Sequence, residues 1–270
     1  MQPNPIILIG GLGTNTYYMK HFCDFILQYK KEIPQIHSFP LLHGKTIDEE
    51  VAEILSNLGK SDEEYTYNII GFSAGCSVAL ALAKNIQADK IILCNPADIR
   101  HRFYPGAVDA IHDYSESLKD DYSPSSIFPS FWFIFFCVLG IIWDLLRQLN
   151  MTGTTMWLYY QVFGKRNYES IYTELEKNTK LFDEPFEKIA KTITECVVKP
   201  DLSELAKPWE ELVNKVHVVY GTYDAYITYI IKLKAEWAKT NIIFHELKGS
   251  HNMINLNPEM VAQSVYGILY

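Results

Sequence analysis

Short apolar runs, several closed by glycine, alternate with stretches of helical periodicity at both ends of this 270-residue chain, and that rhythm leaves few folds open. Ile6-Ile7-Leu8-Ile9 reads as a buried strand that stops at Gly10-Gly11. From Tyr17 to Lys31, Tyr18, Phe22, Phe25, Ile26 and Tyr29 then fall at helical spacing. A second strand is expected from Ile36 to Leu42. Thr46 and Glu49 stand at capping-box spacing before a helix through Val51, Ile54 and Leu55 to Leu58, with Gly59 just past its end. Tyr65 to Ile70 and Lys90 to Cys94 read as strands on either side of a small-residue helix, Cys76 to Asn85. The rhythm stops near Asp98 and resumes at Lys215. From there the pattern predicts a strand over Val216 to Tyr220, a helix over Tyr229 to Lys239, a strand over Ile242 to Leu247 and a helix over Pro258 to Tyr270.

Strands linked through helices must pair in parallel, with the crossover helices covering both faces of the sheet. The expected class is therefore α/β, with a doubly wound, mostly parallel sheet. Residues 1–98 and 215–270 form its core, and residues 99–214, which lack a strand pattern, form a helical cap insertion. With 48% hydrophobic residues the chain can bury a large core, which excludes a disordered or low-complexity scaffold. A net charge of -8 with no Lys/Arg stripe repels phosphate backbones, so nucleic acid is not an expected partner. Cys23, Cys76, Cys94, Cys137 and Cys196 are scattered without a C-x-x-C pair. They point to neither a disulfide framework nor a structural metal site, and with no secretory pattern at the start an intracellular location is expected, cytoplasmic or membrane-associated.

Gly10, Gly11, Gly13, Gly71, Gly75, Gly221 and Gly249 fall just past expected strands, the end of an open parallel sheet where ligands bind. Gly71-Phe72-Ser73-Ala74-Gly75 matches G-x-S-x-G between a strand and a helix, the context in which the serine hydroxyl is thrust above the sheet. A serine needs a base to take its proton and a carboxylate to orient that base. Downstream, Val218-Val219-Tyr220-Gly221-Thr222-Tyr223-Asp224 is an apolar strand followed by an acid, and Gly249-Ser250-His251 follows the next strand.

From Pro5 to Asp98 and from Lys215 to Tyr270 the chain resembles the α/β-hydrolase superfamily, with Ser73, Asp224 and His251 in that family's chain order. The resemblance implies an α/β-hydrolase fold and a serine hydrolase that cleaves an acyl ester through an acyl-enzyme, with no cofactor and no metal. It implies oxyanion-hole donors at the backbone N–H groups of Leu12 and Ala74. Gly10 stands where the family usually carries a histidine, which affects the shape of that loop more than its donor. A thioesterase, peptidase or acyltransferase shares the same triad, and a membrane-associated binding protein that keeps the fold without turnover is the non-catalytic alternative.

Rival readings exist for some of these residues. Asp98 ends the preceding strand unit, where some hydrolases carry the acid. His217 and His245 lie inside strands rather than beyond them, as structural histidines do. Gly11-Leu12-Gly13 partly mimics a dinucleotide-binding turn, but Thr16 replaces the third glycine and no acid closes the second strand.

The insertion bears on substrate. Ile127 to Trp143 holds no charge, Leu145-Leu146 extends the run past Asp144, and a second apolar patch, Met156 to Phe163, precedes Lys165-Arg166. Three accounts fit residues 127–146: a lid over the site, an in-plane patch on a membrane or lipid-droplet surface, or a span, which needs ~20 apolar residues. Each sets an apolar wall near Ser73, and the resemblance to lipases and esterases with apolar caps then implies a small-molecule or lipid acyl substrate with an apolar part.

Overall fold

The computed structural model describes residues 4–12, 16–28, 35–41, 44–59, 65–97, 131–149, 185–206, 215–224, 227–251 and 253–270. Its strands are β1 (Ile6–Leu12), β2 (Ile36–Leu41), β3 (Tyr67–Phe72), β4 (Ala88–Cys94), β5 (Val216–Tyr223) and β6 (Ile243–Ser250). They form one 6-stranded sheet in the order β2-β1-β3-β4-β5-β6, and every neighbouring pair is parallel. The chain leaves β1 toward one edge, returns to β3 on its other side and then works outward to β6. The switch point therefore lies between β1 and β3, where the ends of an open sheet leave a crevice.

The helices are α1 (Thr16–Gln28), α2 (Ile47–Leu58), α3 (Gly75–Leu82), α4 (Phe131–Gln148), α5 (Phe186–Ile193), α6 (Leu202–Ala206), α7 (Ile227–Glu236), α8 (Met253–Leu256) and α9 (Pro258–Leu269). A π-helical turn, Thr194–Val198, follows α5 directly.

Strand side chains alternate between two cores, which is why the central strands are apolar throughout rather than at every second residue. Ile7, Ile9, Ile69, Ile91, Leu93 and Val218 face one core with Ile54 of α2, Ala79 and Leu82 of α3 and Leu233 of α7. Ile6, Leu8, Ile70, Ile92 and Val219 face the other with Phe22 and Ile26 of α1 and Val261 and Val265 of α9. The sheet is thus covered on both sides, as a doubly wound arrangement requires.

Local signals hold where expected. Glu49 N–H donates to Thr46 Oγ1 and Thr46 N–H to Glu49 Oε2, at 3.2 and 2.7 Å, so the capping box starts α2, and Gly59 with φ +81° ends it. Strand ends differ from the sequence pattern. β1 continues through Gly10, Gly11 and Leu12 instead of stopping at Ile9, with an irregular register between Ile9 and Leu12 against β2. β6 continues through Lys248, Gly249 and Ser250 because it still pairs with β5 there, Tyr223 opposite Ser250.

Between β4 and β5, residues 98–130, 150–184 and 207–214 lie outside the described residues, and with them Asp98 and the patch Met156 to Phe163. Cys137 and Trp143 of α4 pack on Phe186 and Ala190 of α5, and Phe186 N–H donates to Asp144 Oδ1 at 3.3 Å. Cys196, Val197 and Leu202 join the first core, and Ser77 Oγ donates to the Cys196 carbonyl at 2.9 Å. Among the described residues no helix is long and apolar enough to cross a membrane, and residues 127–130 of the apolar run 127–146 lie outside them. The 18 residues of α4 rise about 27 Å against a hydrocarbon core of about 30 Å, and Asp144 and Arg147 fall within it.

Glu50 of α2 is buried, at 3% exposure, and its Oε1 has no hydrogen-bond partner. Burial raises its carboxyl to about 7, opposed in part by Lys45 and reinforced by Glu53 and Glu49. The folded state then holds this proton more tightly than the unfolded chain. Its contribution to stability is complete below the ordinary Glu value of ~4.3 and is lost as pH rises through the raised one. Glu50→Gln should flatten that slope, gaining on the order of 2–3 kcal/mol over wild type at pH 8 and little at pH 4. Denaturant unfolding of both proteins across this pH range tests it.

Candidate active site

Between the last residue of β3, Phe72, and the first of α3, Gly75, the chain has only Ser73 and Ala74 in which to turn. Ser73 takes φ +50°, in the left-handed region that costs a residue with a Cβ ~1–2 kcal/mol. The turn is held by Ser73 N–H donating to the Cys94 carbonyl at 2.9 Å and by Cys76 N–H donating to the Ser73 carbonyl at 3.1 Å. The flanking glycines serve close approach rather than positive φ. A Cβ on Gly71 would stand 2.6 Å from the Gly75 carbonyl oxygen, and one on Gly75 would run into the Gly10 carbonyl oxygen.

The end of β1 closes against this turn. A Cβ on Gly11 would stand 2.8 Å from the Ser73 Cβ, so the backbone leading into Leu12, the last residue of β1, lies directly beside Ser73. Ala74 is the N-cap residue of α3, where backbone N–H groups lack acceptors within the helix and the helix dipole is positive.

Asp224 follows β5 immediately and His251 follows β6 immediately. Their strands are neighbours in parallel register, so both side chains rise at the same end of the sheet as Ser73. Ser73 Oγ lies 2.8 Å from His251 Nε2, and His251 Nδ1 lies 3.0 and 3.1 Å from Asp224 Oδ1 and Oδ2. The Asp224 side chain is wholly buried and that of His251 is 18% exposed. A carboxylate against Nδ1 selects the tautomer that carries its hydrogen there, leaving Nε2 to accept the Ser73 hydroxyl proton. The arrangement can draw a proton from a serine and stabilise the resulting imidazolium, which makes the hydroxyl a nucleophile.

The structure thus brings Ser73, Asp224 and His251 together, with Leu12 and Ala74 at the adjoining chain ends. Asp98, the rival acid, and Gly13 of the rival dinucleotide turn lie outside the described residues. His217 and His245 sit in β5 and β6 and pair with each other, rings stacked at 5.3 Å and Nδ1 to Nε2 3.1 Å. Burial lowers both, His217 to about 4. Among the described residues no group of three or more His, Cys, Asp or Glu is placed to hold a metal ion. Sequence pattern does not single out Asn95, whose carboxamide reaches the backbone of both the Asp224 and the His251 loops; its one local signal is an Asn-Pro step straight after a strand.

No family model and no curated protein matches the chain. Solved structures do. A thermophilic esterase from Thermogutta terrifontis is similar at 15% identity and a TM-score of 0.62, over 99% of this chain and 90% of that one. The enol-lactonase from Burkholderia xenovorans is similar at 16% identity and a TM-score of 0.61, over 98% and 91%. The thioesterase domain from the curacin biosynthetic pathway is similar at 11% identity and a TM-score of 0.58, over 100% and 92%. The chain has the α/β-hydrolase fold. These structural neighbours are hydrolases.

The strain at Ser73 gives a test that is independent of any activity. Ser73→Ala and Ser73→Gly both lose the hydroxyl, but glycine relieves the left-handed backbone. Ser73→Gly should unfold about 1 kcal/mol less readily than Ser73→Ala, the reverse of the order at an ordinary position. Denaturant melts of the two variants measure the difference.

Proposed function

We propose that this protein is a serine hydrolase that cleaves an acyl ester, with a lipid-like acyl compound as its substrate. One observation carries the reading: the unbroken hydrogen-bond line from Ser73 Oγ through the His251 ring to Asp224. Ser73 Oγ attacks the ester carbonyl while His251 Nε2 takes its proton, and buried Asp224 stabilises the imidazolium. The oxyanion is held by the N–H groups of Leu12 and Ala74, the second aided by the N-terminus of α3. His251 returns the proton to the departing alcohol, leaving an acyl-enzyme on Ser73. Water, deprotonated by His251, attacks that acyl group, and the carboxylic acid leaves as Ser73 recovers its proton. The scheme calls on no cofactor or metal. Esterase, lactonase and thioesterase neighbours support acyl transfer to water without separating these leaving groups.

We further propose that α4 meets a lipid surface, a membrane or a droplet. Ile134, Phe135, Val138, Leu139, Ile141, Ile142 and Leu145 are exposed on it, Ile141 at 70%, while Cys137 and Trp143 pack inward on α5. Helices with such a face lie in the headgroup boundary rather than across the bilayer.

A fluorophosphonate probe should label the wild type, and Ser73→Ala should abolish labelling; equal labelling of that variant removes Ser73 from its role. Asp224→Asn should lower kcat by about 10³–10⁴-fold by spoiling the tautomer of His251. A matched panel of esters, thioesters and amides of varied acyl length ranks the substrate classes. For the surface, wild type should float with phosphatidylcholine vesicles. Ile141→Glu/Leu145→Glu should stay in the dense fraction and still hydrolyse a short water-soluble ester. Flotation unchanged by the double substitution, or absent in the wild type, counts against the lipid contact.

A further inference from the structure

We propose that Asn95 is a positioning residue of this site, its carboxamide holding the loops of Asp224 and His251 in register with each other and with β4. The inference rests on the triad reading above and goes beyond it, since Asn95 touches none of the reacting atoms.

Asn95 follows β4 directly, is 3% exposed, and takes φ +49°, a left-handed conformation that Asn and Asp tolerate better than other residues with a Cβ. Backbone pairing of β4 with β5 ends at Cys94 opposite Val219. Past that point Asn95 supplies the ties. Its own N–H donates to the Val219 carbonyl at 2.8 Å, and its Oδ1 accepts from Gly221 N–H at 3.1 Å. Its Nδ2 donates to the carbonyls of Ser250 and His251, at 3.0 and 2.5 Å.

These bonds close a circuit around the acid and the base. Gly221, held by Oδ1, accepts from Asp224 N–H at 3.0 Å. Asp224 meets His251 Nδ1 through its carboxylate, and the His251 carbonyl returns to Asn95 Nδ2. The circuit passes through a place where the β5 and β6 backbones nearly touch, since a Cβ on Gly221 would strike the Gly249 carbonyl oxygen. Register between the two strands also shifts between Gly221 and Tyr223, so the pair Tyr223–Ser250 that leads into Asp224 and His251 is reached across an irregularity, which the Asn95 bonds to Gly221 and Ser250 span.

Side-chain chemistry narrows the choice to an amide. The position needs an acceptor for one N–H and donors for two carbonyls, which a carboxamide supplies together. Aspartate keeps the size and the backbone preference but presents its oxygens to those carbonyls. Serine has a single hydrogen to give. Placement errors of about 1 Å in a reacting array cost about 10²-fold in rate, so a group that sets this spacing acts on turnover more than on substrate binding.

Asn95→Asp and Asn95→Gly both tolerate the left-handed backbone and both remove the donors. Each is compared with wild type on p-nitrophenyl butyrate, by fluorophosphonate labelling rate and by thermal melting. The expected result is a 10–100-fold fall in kcat and in labelling rate, with KM within about twofold of wild type. Folded variants with kcat within about twofold of wild type overturn the assignment, as does a fall in kcat matched by an equal change in KM. Ser73→Ala alongside separates the two ideas. An inactive Ser73→Ala beside fully active Asn95 variants ends the role of Asn95 alone, whereas wild-type turnover by Ser73→Ala ends the triad and this inference with it.

Discussion

Only Ser73 and Ala74 separate β3 from α3, and a turn that short can be made only by placing Ser73 in the left-handed region and letting three backbones touch. The contact of Gly75 with the end of β1, and of Gly11 with Ser73, leaves no room for the turn to relax. Its strain is sustained by burial on either side: Ile69, Ile70 and Phe72 before it and Ala74 and Cys76 after it are at most 4% exposed. A hydroxyl fixed in this way is aimed by backbone geometry, so the His251 ring needs only to be brought to it.

That task falls on a less rigid part of the sheet. β3 is buried along its whole length, whereas β6 is an edge strand whose residues are exposed or half-buried throughout. His251 follows this edge strand, and its position has to be secured by other means. On its far side Met253 and Ile254 sink into the second core at 2% and 5% exposure, anchoring the chain just past the histidine. On its near side the Asn95 amide grips the Ser250 and His251 carbonyls. The candidate site thus runs from Ser73, held in a buried turn at the sheet centre, to His251, tethered at the edge.

Much of this was legible in the sequence, for reasons that differ from element to element. The central strands showed because strands covered on both faces are apolar throughout, as Ile69-Ile70 and Ile91-Ile92-Leu93 are. The Thr46–Glu49 cap showed because both partners are local. Ser73, Asp224 and His251 stood out as candidates because each follows an expected strand in a loop marked by glycine, Gly71, Gly221 and Gly249. The strand ends did not, since Gly10-Gly11 and Lys248-Gly249-Ser250 carry no apolar signature, and the strands run through them because Leu12 still pairs with β2 and Ser250 with β5. Asn95 was invisible for the same reason in stronger form: the partners of its carboxamide lie 126 to 156 residues away, and no periodicity encodes such distances. The mutual pairing of His217 and His245 likewise depends on the β5–β6 register, although their placement inside strands was evident.

The outer face of α4 sets a different physical problem. An amphipathic helix ordinarily keeps its apolar stripe inward, yet here Cys137 and Trp143 face α5 while Ile134, Val138, Ile141 and Leu145 repeat at helical spacing on the exposed side. The lipid contact proposed for α4 rests on this face, since exposed apolar residues more often stand singly than side by side. Each side chain moved from water into hydrocarbon contributes roughly 1.5–3 kcal/mol when fully buried, and less at the depth an in-plane helix reaches. Part of that gain is offset by lost freedom of motion, so the proposed contact through a few such side chains would be reversible attachment rather than permanent insertion. Reversible attachment is also what an enzyme needs if its substrate resides in the apolar phase and its cleavage reaction needs water.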